Sequence, residues 1–186
     1  MIMGFGMKAV LVIDMIKDFV TGKFGSPRAR QIIPTIRALL EAARRVGYPV
    51  VYVCDAHRPG DPELRVWGEH AMEGSEGAQI VDELSPQSED AVFKKHTYSA
   101  FFETGLHGFL QDRGIKEVIL TGVVTNICVQ HTAADAHFRG YEITVPEDCT
   151  AAVEDELHRQ ALETMKQLYG ARIVKSTELM QEWEAQ

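Results

Sequence analysis

The chain has 186 residues, 45% of them hydrophobic and 25% charged, enough for one domain to bury a full core without disulfides or a structural metal. A formal net charge of −8, with no basic cluster to offset it, argues against a nucleic-acid partner. No apolar run is long enough to span a bilayer, and the N-terminus lacks the basic and small-residue flanks of a signal peptide, so a cytoplasmic protein with no membrane partner is expected.

The first predicted element is a strand over Ala9–Ile13 (AVLVI), followed directly by Asp14. A helix is predicted over Gln31–Val46, where Ile32, Ile36, Leu39, Leu40 and Ala43 share one stripe and Gly47 ends it. Val50–Val53 (VVYV) is the second strand, followed by Cys54, Asp55 and His57. From Asp55 to about Gly77 no element is predicted; so long a loop in a compact domain is usually functional, and this one holds His57, Trp67 and His70. Ala91–Phe93 is a further strand candidate that runs into Lys94 and Lys95. A helix over Thr104–Asp112 is stopped by Gly114, and a strand over Val118–Leu120 leads into the run TGVVTNIC. That run opens a helix over Asn126–Phe138, which stops at Gly140. Ile143–Val145 is a strand, Glu154–Tyr169 a helix stopped by Gly170, and Ile173–Val174 a last strand. A final helix is predicted over Thr177–Glu184, with Ser176 as its N-cap.

Short β-branched runs without polar alternation suit strands covered on both faces. Alternating with helices, they predict an α/β fold: three layers, doubly wound about a mostly parallel sheet, in a single domain over residues 1–186. Three widely spaced cysteines, Cys54, Cys128 and Cys149, suit a reducing compartment rather than a disulfide framework.

In an open parallel sheet, sites form beyond the carboxyl ends of the strands. Cys128 falls in the first turn of a helix that follows a strand, where unpaired N–H groups and the helix dipole favour a thiolate and can hold an oxyanion. The competing reading is a small buried hydrophobe, which is adopted for Cys54 and Cys149. Asp14 is either a turn residue or, near a nucleophile, its general base. Lys94 or Lys95 can supply a positive charge. Asp55 and His57 share one face at a strand end, and His70 can return from the loop to complete a set suited to zinc, iron or manganese. Asp61 and Glu69 are further candidate ligands.

At these residues the chain resembles the isochorismatase-like cysteine hydrolase superfamily and, within it, the nicotinamidases, over about Lys8 to Val174. KHTYSAFFETGL matches a pattern of Lys, three residues and Ser-Ala-Phe, which selects Lys95 over Lys94. LTGVVTNICVQHTAADAHFRGY resembles the nucleophile segment, with Cys128 as nucleophile, and VLVIDMIKDF resembles the first strand, with Asp14 as catalytic acid and Phe19 lining the substrate pocket. Asp55 and His57 match an Asp-x-His ligand pair, and Trp67 and His70 match a Trp, two residues, then His. The chain departs from the nicotinamidase pattern in having Ala56 between Asp55 and His57, and Arg58 before Pro59.

The resemblance implies the isochorismatase-like hydrolase fold and a cis peptide between Val123 and Val124. It implies an oxyanion hole from the N–H groups of Val124 and Cys128, and a pocket lined by Phe19, Trp67 and Val123. It also implies one divalent metal, zinc first among the candidates, on Asp55, His57 and His70. The expected activity is hydrolysis of a small carboxamide, nicotinamide, through a Cys128 thioester, by a homo-oligomer. Open alternatives are an amidase acting on an N-carbamoyl or ureido compound, an isochorismatase-type vinyl-ether hydrolase, and a non-catalytic protein on the same fold.

Overall fold

A computed structural model describes residues 7–185. The signal-peptide expectation rests in part on residues 1–6, which lie outside the described residues. The chain runs β1 (Met7–Ile13), α1 (Lys17–Val20), α2 (Pro27–Gln31), α3 (Ile33–Arg45), β2 (Val50–Asp55), α4 (Leu64–Trp67) and β3 (Ala91–Lys95). It continues through α5 (Leu106–Asp112), β4 (Ile115–Val123), a π-helical turn (Thr125–Val129), α6 (Gln130–Phe138), β5 (Glu142–Pro146), β6 (Thr150–Ala151), α7 (Asp155–Tyr169), β7 (Arg172–Val174) and α8 (Ser176–Glu184).

The sheet order is β3-β2-β1-β4-β5-β7, with β6 paired to the end of β4, and every pairing is parallel. Alternation along β1 divides the core. Val10 and Val12 pack with Ile36, Leu39 and Leu40 of α3 and Leu179 and Trp183 of α8. Leu11 and Ile13 pack with Leu106 and Leu110 of α5, Ala133 and Ala136 of α6, and Leu162 and Met165 of α7. Both faces of the sheet are therefore dry, which is why its strands read as unbroken apolar runs.

Four local differences from the expected elements have physical causes. The helix expected over residues 31–46 is α3, which starts at Ile33 after a break at Ile32 from the unforeseen α2, with Pro34 in its first turn where its missing N–H is harmless. The strand expected over Val118–Leu120 extends over nine residues, because β1 continues the ladder from Ile115 to Gly122 and β6 pairs with Gly122 and Val123. The two-residue strand β6 was not foreseen, being too short to show a periodicity. Ser176 is the first residue of α8 rather than its N-cap: Asp148 takes both its N–H (2.8 Å) and its hydroxyl (2.7 Å), and Lys175 occupies the cap position. The stop at Gly170 is as expected, a left-handed glycine (φ 66°) whose N–H donates back to Met165. Among the described residues, no helix is long and apolar enough to cross a membrane.

Candidate active site

The chain leaves β1 towards β2 and β3 on one side, and later returns to place β4 on the other side of β1. That reversal opens a crevice at the carboxyl ends of β1 and β4. Asp14 follows β1 there with a left-handed backbone (φ 53°), its N–H donating to Val53 O at 3.2 Å. Gly122 pairs with Ile13 across the same gap, and a Cβ on it would stand 1.9 Å from the Ile13 carbonyl oxygen. Past β4 the Val123–Val124 peptide is cis, and the π turn carries Cys128. Lys95 ends β3 in register with Asp55 at the end of β2.

These elements bring four buried groups together. Lys95 Nζ lies 2.8 Å from Asp14 Oδ2, 2.5 Å from Asp55 Oδ1 and 3.7 Å from Cys128 Sγ, and also donates to Thr97 O at 3.0 Å. Asp55 N–H donates to Asp14 Oδ1 at 2.8 Å. Burial, aided by the charge on Asp55 and opposed by Lys95, raises the Asp14 pKa to about 6. Burial opposes the Lys95 charge too, but the carboxylates of Asp14 and Asp55 outweigh it and hold the ammonium well above its ordinary pKa. At Cys128 burial pushes the thiol well above its ordinary value; Lys95 opposes this, while Asp14 and Asp55 add to it. Burial and the neighbouring carboxylates thus favour the protonated form of the Cys128 thiol. The thiolate expected from the helix N-terminus is overridden by burial and two carboxylates.

Asp55 also faces a second group. One ligand atom each from Asp55, His57, Glu63 and His70, all buried, lie within 4.8 Å of one another. His57 Nε2 stands 3.3 Å from Asp55 Oδ2 and 3.6 Å from Glu63 Oε2. His57 Nε2 and Glu63 Oε1 are buried without a hydrogen-bond partner. Behind them, the Nδ1 atoms of the two histidines are engaged, His57 with Asp61 Oδ2 at 3.1 Å and His70 with the Gly68 carbonyl at 2.7 Å. Both imidazoles thus turn Nε2 towards the cluster, as metal-ligating histidines do. Two imidazoles and two carboxylates, with His57 Nε2 and Glu63 Oε1 left unpartnered, fit a divalent ion such as zinc. Asp14, Asp55 and Cys128 form another close set, but the Lys95 ammonium already provides its cation.

Both groups open on one cavity of about 270 Å³, whose lining includes Phe19, Trp67, Val123, Val124, Asn126 and Cys128. Trp67 Nε1–H donates to Tyr98 Oη at 3.1 Å, and Phe24 stands edge-on to both Trp67 and His70. Other candidates fall elsewhere. Lys94 pairs with Glu73 at 2.7 Å and is exposed, because successive side chains of β3 point to opposite faces. Asp61 stands behind His57 as its hydrogen-bond acceptor rather than in the clustered set. Glu69 is exposed and offers its carbonyl to Lys23. Glu63, Phe24, Tyr98 and Asn126 were not singled out in the sequence. Glu63 stands two residues past Asp61 in an irregular loop, at the N-cap of α4, where no periodic signal marks it as buried.

The isochorismatase domain family matches residues 8–178. The chain belongs to the isochorismatase family. Among solved structures of similar proteins, N-carbamoylsarcosine amidase from Thermoplasma acidophilum is 41% identical, with a TM-score of 0.87 covering 91% of this chain and 96% of that one. Nicotinamidase PncA from Bacillus subtilis is 36% identical, with a TM-score of 0.85 over 90% and 99% of the two chains. A pyrazinamidase of Pyrococcus horikoshii in complex with zinc is 29% identical, with a TM-score of 0.84 over 90% and 98%. The isochorismatase-family fold thus extends across the crevice that holds both clusters.

Proposed function

We propose that this isochorismatase-family chain is a cysteine amidohydrolase that converts nicotinamide to nicotinate and ammonia. One observation carries it: the buried Asp14–Lys95–Cys128 group and the four-ligand set share Asp55 and open on one aromatic-walled cavity. Similarity to a nicotinamidase and to a zinc-bound pyrazinamidase supports the same substrate class.

In this mechanism the Asp14 carboxylate takes the thiol proton as Cys128 Sγ forms a bond to the amide carbon. Lys95, held between Asp14 and Asp55, balances the charge through this transfer. The carbonyl electron pair moves onto oxygen, where the N–H groups of Val124 and Cys128 receive it, each contributing about 2.7–4 kcal/mol as in comparable oxyanion sites. The C–N bond then breaks, and Asp14 passes its proton to the departing ammonia. A water molecule loses a proton to Asp14 and attacks the thioester; the C–S bond breaks, and the thiol regains its proton. Phe19 and Trp67 flank the ring. Asp55, His57, Glu63 and His70 would hold a zinc ion, which when bound supplies a Lewis acid for a ring nitrogen.

The test is ammonia release from nicotinamide, with Cys128→Ala lowering kcat by about 10⁴-fold or more. Equal activity in the variant would remove Cys128 from the mechanism. The 41% identity to an N-carbamoylsarcosine amidase favours a second reading, an N-carbamoyl substrate on the same thiol site. None of the described residues lining the cavity is a lysine or arginine to meet that compound's carboxylate. Turnover of N-carbamoylsarcosine but not of nicotinamide would establish the second reading.

A further inference from the structure

His57 and His70 sit at separate points of the loop after β2, yet their rings lie 4.6 Å apart, and a single residue ties their backbones together. The Ala71 carbonyl accepts the His57 N–H at 2.8 Å. The Ala71 N–H donates to Asp18 Oδ2 at 2.7 Å. Ala71 is fully buried, with φ 43°, in the left-handed region that alanine seldom adopts. A charge-assisted bond to a carboxylate is the kind of contact able to hold it there. The carboxylate is itself enclosed by close-running backbone: a Cβ on Gly77 would stand 2.3 Å from Asp18 Oδ2, and one on Gly22 2.9 Å from Oδ1. Asp18 lies on α1 beside Phe19, whose ring stands 5.7 Å from His70, and it is outside the four-ligand set.

We propose that Asp18 is a positioning residue for the metal set: its carboxylate clamps the Ala71 peptide and so places the His70 imidazole against His57. This rests on the metal-binding part of the function proposed above. The bond costs the ligands nothing in the bound state and spares them the search for one another, so its loss appears as weaker metal binding.

The experiment measures zinc affinity of metal-stripped protein by competition with a chromophoric chelator. It compares wild type, Asp18→Ala, Asp18→Asn and Gly77→Ala, with circular dichroism and melting of each stripped protein as the check on folding. Asp18→Ala is expected to bind zinc about 10–100-fold more weakly, as for loss of other groups that orient ligands. Asp18→Asn keeps an oxygen that accepts the same N–H and is expected within about threefold of wild type, a smaller effect than loss of an orienting group. Gly77→Ala, whose methyl displaces the carboxylate, is expected to weaken binding as well. Wild-type affinity in Asp18→Ala, or an Asp18→Asn protein as weak as Asp18→Ala, would overturn the proposal. If Asp18→Ala does not fold, the contrast between Asp18→Asn and Gly77→Ala decides it, and equal affinity in those two overturns it. Zinc binding is read without any amide present, so a lack of nicotinamide turnover leaves the proposal standing. A wild type without zinc affinity overturns it together with the metal-binding reading.

Discussion

At Cys128 two effects oppose each other. The N–H groups of a helix start favour a thiolate, whereas burial beside Asp14 and Asp55 favours the thiol, and the second prevails. In the proposed mechanism the thiolate therefore forms only as Asp14 takes the thiol proton. The same crowding governs Gly122, whose φ of 108° and 1.9 Å approach to the Ile13 carbonyl leave no room for a side chain. Gly122→Ala is expected to lower stability by about 3 kcal/mol or more, read from denaturant titration. A loss below about 1 kcal/mol, the ordinary effect of a point mutation, would mean that β1 and β4 can part at the site.

Among the elements, the π turn is held from outside by α7. Thr125 Oγ1 and His158 Nδ1 share a hydrogen bond of 2.8 Å, and Leu157 of the same helix lines the cavity. Burial lowers the His158 pKa below its usual 6.5, so the folded protein keeps this imidazole neutral. As pH falls below 6.5 the unfolded chain takes up a proton first, and the folded state loses stability until the pH passes the folded pKa. Because the raised pKa of Asp14 adds stability over the same range, the expected signature is a difference: from pH 7 to pH 5 the denaturant midpoint changes less favourably in wild type than in His158→Gln. Parallel slopes in the two proteins would show that His158 makes no contribution to the acid loss.

For the whole molecule, the chain reversal between β1 and β4 gathers groups from four segments into one crevice, with the loop after β2 closing over it. The candidate ligands Asp55, His57, Glu63 and His70 span one strand end and that loop, so an ion bound there would pin the loop to the sheet. A metal that binds the folded state alone raises stability by about 2.7 kcal/mol at free zinc one hundred times its dissociation constant. The melting temperature of the stripped protein is therefore expected to rise with added zinc and to fall again with chelator. An unchanged melting temperature would show that the four ligands do not hold zinc.

Much of this was legible in the residues themselves. Apolar runs such as AVLVI and VVYV announce strands covered on both faces, and glycines at 47, 140 and 170 mark helix ends, because these are local choices made by each segment's own chemistry. Asp14, Asp55 and the Lys94–Lys95 pair could be placed at strand ends, and Cys128 at a helix start, for the same reason, whereas the family resemblance selects Lys95 over Lys94. Other features depend on partners distant along the chain. Glu63 meets the candidate ligand set only through the path of the loop after β2, Asp61 stands behind His57, and Ser176 leaves the cap position because Asp148 takes its hydroxyl. The protonation of Cys128 likewise depends on burial and on charges brought from β1 and β2. Sequence alone determined which segments carry chemistry; only packing decided which of their atoms meet, because desolvation and contact belong to the assembled chain.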